Sequence, residues 1–278
     1  MPEADVINRT TEGPITRRRI AGDLTTLGVK EGMVLMVHSA LSSLGWVSGG
    51  APAVILGLQD ALGETGTLVM PAHSGHYSDP SHWENPPVPE AWIPRIRESM
   101  PAFDPDLTPT RGVGAIPECF RKQRGVIRSF HPQGSFTARG PRAEQILADH
   151  QLDFSFGEGS PLAKIYQRGG WILLLGVGQD SNTSLHLAEY RAAGQDRKII
   201  QQGAPVLVMG DRQWVHFREL DEASEIFPEI GAAYLAGGGT CREGRVGEAR
   251  ASLFPQRELV DFGVEWLRER KRVQDHQG

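Results

Sequence analysis

The sequence predicts an α/β fold with a mostly parallel central sheet flanked by helices, and three observations lead there. Residues 33–37 and 67–70 are short apolar runs separated by a loop of small residues and a stretch of helical periodicity, which is the strand, loop, helix, strand order of a βαβ unit. Trp171–Leu175 is a third uninterrupted apolar run of core-strand length, and it ends in Gly176-Val-Gly178 before a polar segment that opens a helix. The composition is that of a globular chain, with 278 residues, 39% hydrophobic, and neither an internal repeat nor a clean linker. One domain over residues 1–278 is therefore expected, with residues 71–110 as an irregular insertion.

Residues 14–27 have helical composition and end at the turn 28–32, after which residues 33–37 form the first core strand. The loop 38–45, His-Ser-Ala-Leu-Ser-Ser-Leu-Gly, precedes a helix over 51–62 and a second strand over 67–70. Residues 71–110 are proline-rich and aromatic with little periodicity, as in a lid or binding loop. Short helices are expected over 117–123, 141–150 and 160–168, the last marked by Ser160-Pro161. Asn182 or Thr183 can cap the helix after the third strand. Residues 206–209 and 213–220 read as a β-hairpin about Gly210-Asp211, and 256–272 as a closing helix.

In a parallel sheet ligands gather outside the carboxyl ends of the strands, so the loops after Val37, Met70 and Leu175 should face one crevice. On the third of these, His186 and Glu189 are three positions apart and share a helix face, where both can act on one reacting group. In the first, His38, Ser39, Ser42 and Ser43 offer hydroxyls and backbone N–H groups to an anion or a cofactor amide, or simply cap a helix. Arg128, Ser129, His131 and Ser135 form another cation and hydroxyl cluster, and Glu219 and Asp221 alternate on one face of the hairpin. His73, His76, Asp79 and His82 recur every third residue and are ligand types that zinc accepts, but Gly75 and Pro80 break any helix that would align them. They support a metal-dependent hydrolase as the rival reading.

The net charge of −5 and the scattered basic residues argue against a nucleic-acid partner. No apolar stretch has membrane-spanning length and the first residues lack a signal pattern, so a cytoplasmic protein without a membrane partner is expected. Cys119 and Cys241 are too few for a disulfide framework or a cysteine-built zinc site.

Taken together, seven ordered blocks resemble the aminoglycoside 3-N-acetyltransferase family, antibiotic acetyltransferases of a fold distinct from the common GNAT superfamily. They are residues 37–45, 66–71, 103–109, Gly114 with 118–121, 128–132 with Ser135, 156–162, and 173–178 through 182–189. The resemblance implies transfer of an acetyl group from acetyl-CoA to the 3-amino group of a 2-deoxystreptamine aminoglycoside, without a metal. By that similarity His186 is the general base, Asp221 is the acid that holds it, and Glu189 joins them in the catalytic group. Glu189, Glu219, Asp79 and Asp153 would bind the drug's ammonium groups. The loop His38, Ser39, Ala40, Leu41, Ser42 and Ser43, with Arg128, Ser129, His131 and Ser135, would line the CoA arm. The family often has a second serine where this chain has Ala40, so only backbone contacts are implied at that position. Another amine is the alternative acceptor, and a monomer or homodimer is expected.

Overall fold

The computed structural model describes residues 3–192, 198–221 and 224–275. The first half runs α1 (Glu3–Arg9), α2 (Arg17–Leu27), β1 (Val34–Ser39), α3 (Gly50–Leu62), β2 (Thr67–Pro71), α4 (Ile93–Ser99), α5 (Ala115–Phe120), β3 (Ile127–Arg128) and β4 (Phe136–Arg139). The second half runs α6 (Ala143–Leu147), α7 (Pro161–Gln167), β5 (Trp171–Leu175), α8 (Ser184–Ala192), β6 (Ile199–Val208), β7 (Asp211–Leu220), α9 (Phe227–Ala236), β8 (Arg242–Val246), β9 (Ala249–Pro255) and α10 (Gln256–Asp275).

Seven strands form the central sheet in the order β3-β4-β2-β1-β5-β9-β8. β1 pairs in parallel with β2 and β5, while β4 and β9 oppose their neighbours, so β3, β2, β1, β5 and β8 share one direction. The expected mostly parallel α/β sheet is thus present, with its parallel ladder confined to the central three strands.

Those three strands are continuous apolar runs because both faces are covered. Leu35, Val37, Leu68, Met70, Leu173 and Leu175 pack with α2, α3 and α5. The alternate residues Val34, Met36, Val69, Ile172 and Leu174 pack on the other side with α6 to α10. Register then fixes the ligand edge: His38 lies opposite Leu174 and Ser39 opposite Leu175. The chain segments leaving β1, β2 and β5 therefore emerge together.

Three features differ from the sequence expectation. Residues 71–110 are not wholly irregular, since they hold α4 and two short 3-10 turns. The hairpin β6-β7 is longer than expected, and its turn is Met209-Gly210, one residue earlier, with φ of 52° and 92°. Positive φ at both positions is the type I′ geometry, which matches strand twist, and Met209 adopts it fully exposed. The β8-β9 hairpin had no clear signal, because β8 is largely exposed and polar.

Candidate active site

Two cavities meet at the carboxyl end of the sheet. The larger, about 820 Å³, is lined by the loop 38–42, by Trp46, Val47, Gly50 and residues 112–115, and by Glu3 and Val6 of α1. The smaller, about 460 Å³, is lined by Gln133, Gly134, Ser155, Phe156, His186, Ile200, Gln202, Glu219 and Leu220. His73, Asp180, Ser181 and Thr183 belong to both walls and so form the seam between them. In the sequence Asp180 and Ser181 were legible only as residues of a turn after a strand, and Thr183 only as a possible helix cap.

The turn leaving β5 depends on Gly176. Its φ is 70°, and a Cβ there would lie 2.4 Å from that of Ser43, so glycine lets the β5 turn close against the β1 loop. Asn182 precedes α8, its Oδ1 accepting from the N–H of Ser184, the first residue of the helix, at 3.2 Å. One turn on, Nδ1 of His186 donates to Oε2 of the fully buried Glu189 at 2.7 Å. The imidazole stacks on Phe156, with centroids 5.0 Å apart and planes 16° apart, and meets the edge of Phe227 at 4.8 Å.

This geometry corrects the expectation for Asp221. Its carboxylate is half exposed and pairs with Lys198 Nζ at 2.8 Å. The acid at His186 is instead Glu189, supplied by the same helix, because an i,i+3 pair is already in reach. Glu219 is buried and lines the smaller cavity, and it accepts from the N–H of Ser155 and from Tyr190 Oη.

Asp79 and Asp153 do not join it. Asp79 caps a 3-10 turn and pairs with Arg97 at 2.7 Å, and Asp153 holds Arg218 at 2.7 Å, so both charges are matched inside the fold. Among the described residues no three His, Cys, Asp or Glu side chains gather as a metal-ligating group. The set His73, His76, Asp79 and His82 accordingly does not converge.

The expected cofactor residues divide. His38, Ser39, Ala40, Leu41 and Ser42 line the larger cleft. Ser43 does not, and its hydroxyl donates to Gly176 O at 3.0 Å. Arg128 directs all five of its donors into the protein: to Ser135 Oγ, Ser74 Oγ, and the carbonyls of Ala72, Pro105 and Thr108. Burial pulls its pKa down to about 10.

His131 is fully buried, its Nδ1 accepting from the N–H groups of Gln133 and Gly134 while Nε2 donates to Leu152 O. Ser129 is buried between Phe136 N and His150 Nδ1. Arg128, Ser129, His131 and Ser135 do not line the larger cleft. Their polar types suggested a ligand, but their hydrogen bonds are made within the protein, Arg128 to Ser135 and Ser129 and His131 to other groups.

Two further imidazoles lie at the cavities. His38 is buried with Nε2 unpartnered, and His73 has both ring nitrogens buried and unpartnered. Burial, and then neighbouring imidazoles, pushes the pKa of each down to about 3, so both rings are neutral.

The family model for aminoglycoside 3-N-acetyltransferase matches residues 36–268. The chain belongs to the aminoglycoside 3-N-acetyltransferase family. It is 49% identical to the SPbeta prophage-derived aminoglycoside N(3')-acetyltransferase-like protein YokD of Bacillus subtilis, over 94% of this chain and 95% of that protein. It is 39% identical to aminoglycoside N(3)-acetyltransferase VIII of Streptomyces fradiae, over 97% of each.

Among solved structures, YokD superposes with a TM-score of 0.92 at 48% identity, covering 95% of this chain and 96% of that one. AAC-IIIb, solved as a binary complex with CoASH, gives a TM-score of 0.84 at 35% identity, over 93% and 98% of the two chains. AAC-VIa bound to sisomicin gives 0.84 at 32%, over 93% and 99%. Family membership makes the chain a transferase of the aminoglycoside-acetylating class. Among the described residues, no helix is long and apolar enough to cross a membrane.

Proposed function

We propose that the chain transfers the acetyl group of acetyl-CoA to the 3-amino group of a 2-deoxystreptamine aminoglycoside by direct attack, with His186 as general base. One observation carries this reading: His186, held from behind by the buried Glu189, faces a cavity that meets a larger cleft along a shared wall. One cavity takes the amine, the other the thioester.

An amine that is protonated in water must lose a proton to attack a thioester. A carboxylate at Nδ1 holds His186 in the tautomer whose Nε2 is basic, and it stabilises the imidazolium that forms. The free amine, its ammonium proton given up to solvent, adds to the acyl carbon, His186 takes the second proton from that nitrogen, and the CoA thiolate leaves. No covalent enzyme intermediate is needed.

The lining of the larger cleft contains neither Lys nor Arg among the described residues, only small hydroxyl, backbone, imidazole and apolar groups with Glu3 and Asp180. Such a wall suits the neutral, amide-bearing arm of CoA and leaves its phosphates outside. The binary complex of AAC-IIIb with CoASH supports acetyl-CoA as co-substrate. Glu219 and Asp180 are the carboxylates placed to receive ammonium groups in the smaller cavity, and the sisomicin complex of AAC-VIa supports an aminoglycoside there.

A second reading, acetylation of a less highly charged amine, is favoured by the pairing of Asp79 with Arg97 and of Asp153 with Arg218. A thiol-release assay with acetyl-CoA against aminoglycosides and simple mono- and diamines decides between them. Aminoglycoside-dependent CoA release that His186→Ala abolishes is the expected result. Release by none of the amines from folded protein defeats the proposal.

A further inference from the structure

His73 is the one imidazole, among the described residues, that lines both cavities. Both its ring nitrogens are buried without a hydrogen-bond partner in the protein, whereas buried polar groups are nearly always paired. A ring kept only for packing would be better served by a phenyl group, which leaves no polar atom unpaired.

The ring is also held rigidly. It makes edge contacts with Phe136 and Phe156, each at 5.3 Å, and Phe156 stacks in turn on His186. Its own carbonyl accepts from Arg111 N at 2.8 Å, and its neighbours Ala72 and Ser74 are gripped by Arg128. Being neutral, the ring carries one N–H donor and one lone pair. His73 belongs to the wall that the two cavities share, so an acyl group entering that seam meets this residue. His38 lines the larger cleft alone.

We propose that His73 is a second catalytic residue, donating a hydrogen bond from its neutral ring to the acyl carbonyl oxygen at the seam; this rests on the acetyl-transfer reading above. As the amine nitrogen bonds to the acyl carbon, the carbonyl π pair moves onto oxygen, where the His73 N–H meets the growing negative charge. When that pair returns, the C–S bond breaks and CoA leaves as the thiolate. The proton lost by the amine resides on His186, and His73 surrenders none. A neutral imidazole suits this task, because it polarises the carbonyl without competing for the proton that the base must take.

Two variants and one spectrum test the assignment. His73→Phe keeps the ring contacts and removes the donor, and it should lower kcat about 10²- to 10³-fold with the KM for acetyl-CoA within about threefold. His73→Gln restores an N–H and should recover at least about tenfold of that loss, with the acidic limb of the kcat profile unmoved in both. The infrared carbonyl stretch of bound, 13C-labelled acetyl-CoA should lie lower in wild type than in His73→Phe. Near-wild-type kcat in His73→Phe, or equal losses in both variants with an unchanged carbonyl stretch, overturns this assignment alone. Absence of thiol release by wild type with every amine overturns the acetyl-transfer reading, and this with it.

Discussion

In the proposed mechanism Glu189 is the residue on which the base depends. Buried completely and 2.7 Å from His186, it holds the imidazole by its Nδ1 and would stabilise the imidazolium of that mechanism. Glu189→Gln keeps the size and removes the charge, so kcat should fall about 10²- to 10³-fold while the KM for the acceptor changes little, as steady-state thiol release will show. Asp221→Asn should stay within about threefold of wild type in the same assay, because its carboxylate is half exposed and bound to Lys198. A collapse in Asp221→Asn with little effect of Glu189→Gln would reverse the assignment of the supporting acid. The contrast marks what a sequence can disclose at this scale. His186 with Glu189 was legible because helical spacing alone guarantees their proximity. The pairings of Asp79 with Arg97 and Asp153 with Arg218 span 18 and 65 residues, and no local pattern encodes them.

Between elements, Arg128 is the fastening that holds the segment after β2 against β3 and β4. Its donors reach Ala72 and Ser74 at one end of that segment, Pro105 and Thr108 near the other, and Ser135 before β4, and the guanidinium lies 5.0 Å over the Phe103 ring. Arg128→Met should therefore cost about 3–5 kcal/mol in urea unfolding, since it leaves buried carbonyls and hydroxyls unpaired. Arg128→Lys should recover only part of this, because an ammonium lacks the planar fork. A loss below about 1 kcal/mol for Arg128→Met would mean the segment is held by other contacts. The central strands and α3, α8 and α10 could be anticipated because each is a long or continuous pattern with a flanking cap or glycine. β8 and β9 could not, because β8 is held by antiparallel pairing to β9 at the sheet edge with most of its side chains in water.

For the whole molecule, the buried histidines set a pH floor. His38, His73 and His150 are held near a pKa of about 3 and His131 near about 4, in each case chiefly by burial, against the usual 6.5. In the unfolded chain all four take up protons as the pH drops through about 6.5, whereas in the folded protein they do not until it approaches 4. The unfolded state thus binds more protons across that window, so stability is fully present above about pH 6.5 and drains as the pH falls toward 4. Each group contributes about 1.4 kcal/mol per pH unit once its unfolded form is protonated, so the four together remove on the order of 5 kcal/mol by pH 5.5. That is comparable with the 5–15 kcal/mol total of an ordinary domain. His131 adds a structural reason for the steepness: protonation at Nδ1 would turn the acceptor of two backbone N–H groups into a donor facing them. Urea midpoints measured from pH 7.5 to 5.0 should fall sharply below pH 6.5 with little change in slope. His131→Asn, which titrates nowhere in this range, should have a shallower pH dependence than wild type at the cost of lower stability at pH 7.5. Midpoints that stay flat down to pH 5.0 would show that these rings take up protons in the folded protein about as readily as in the unfolded chain.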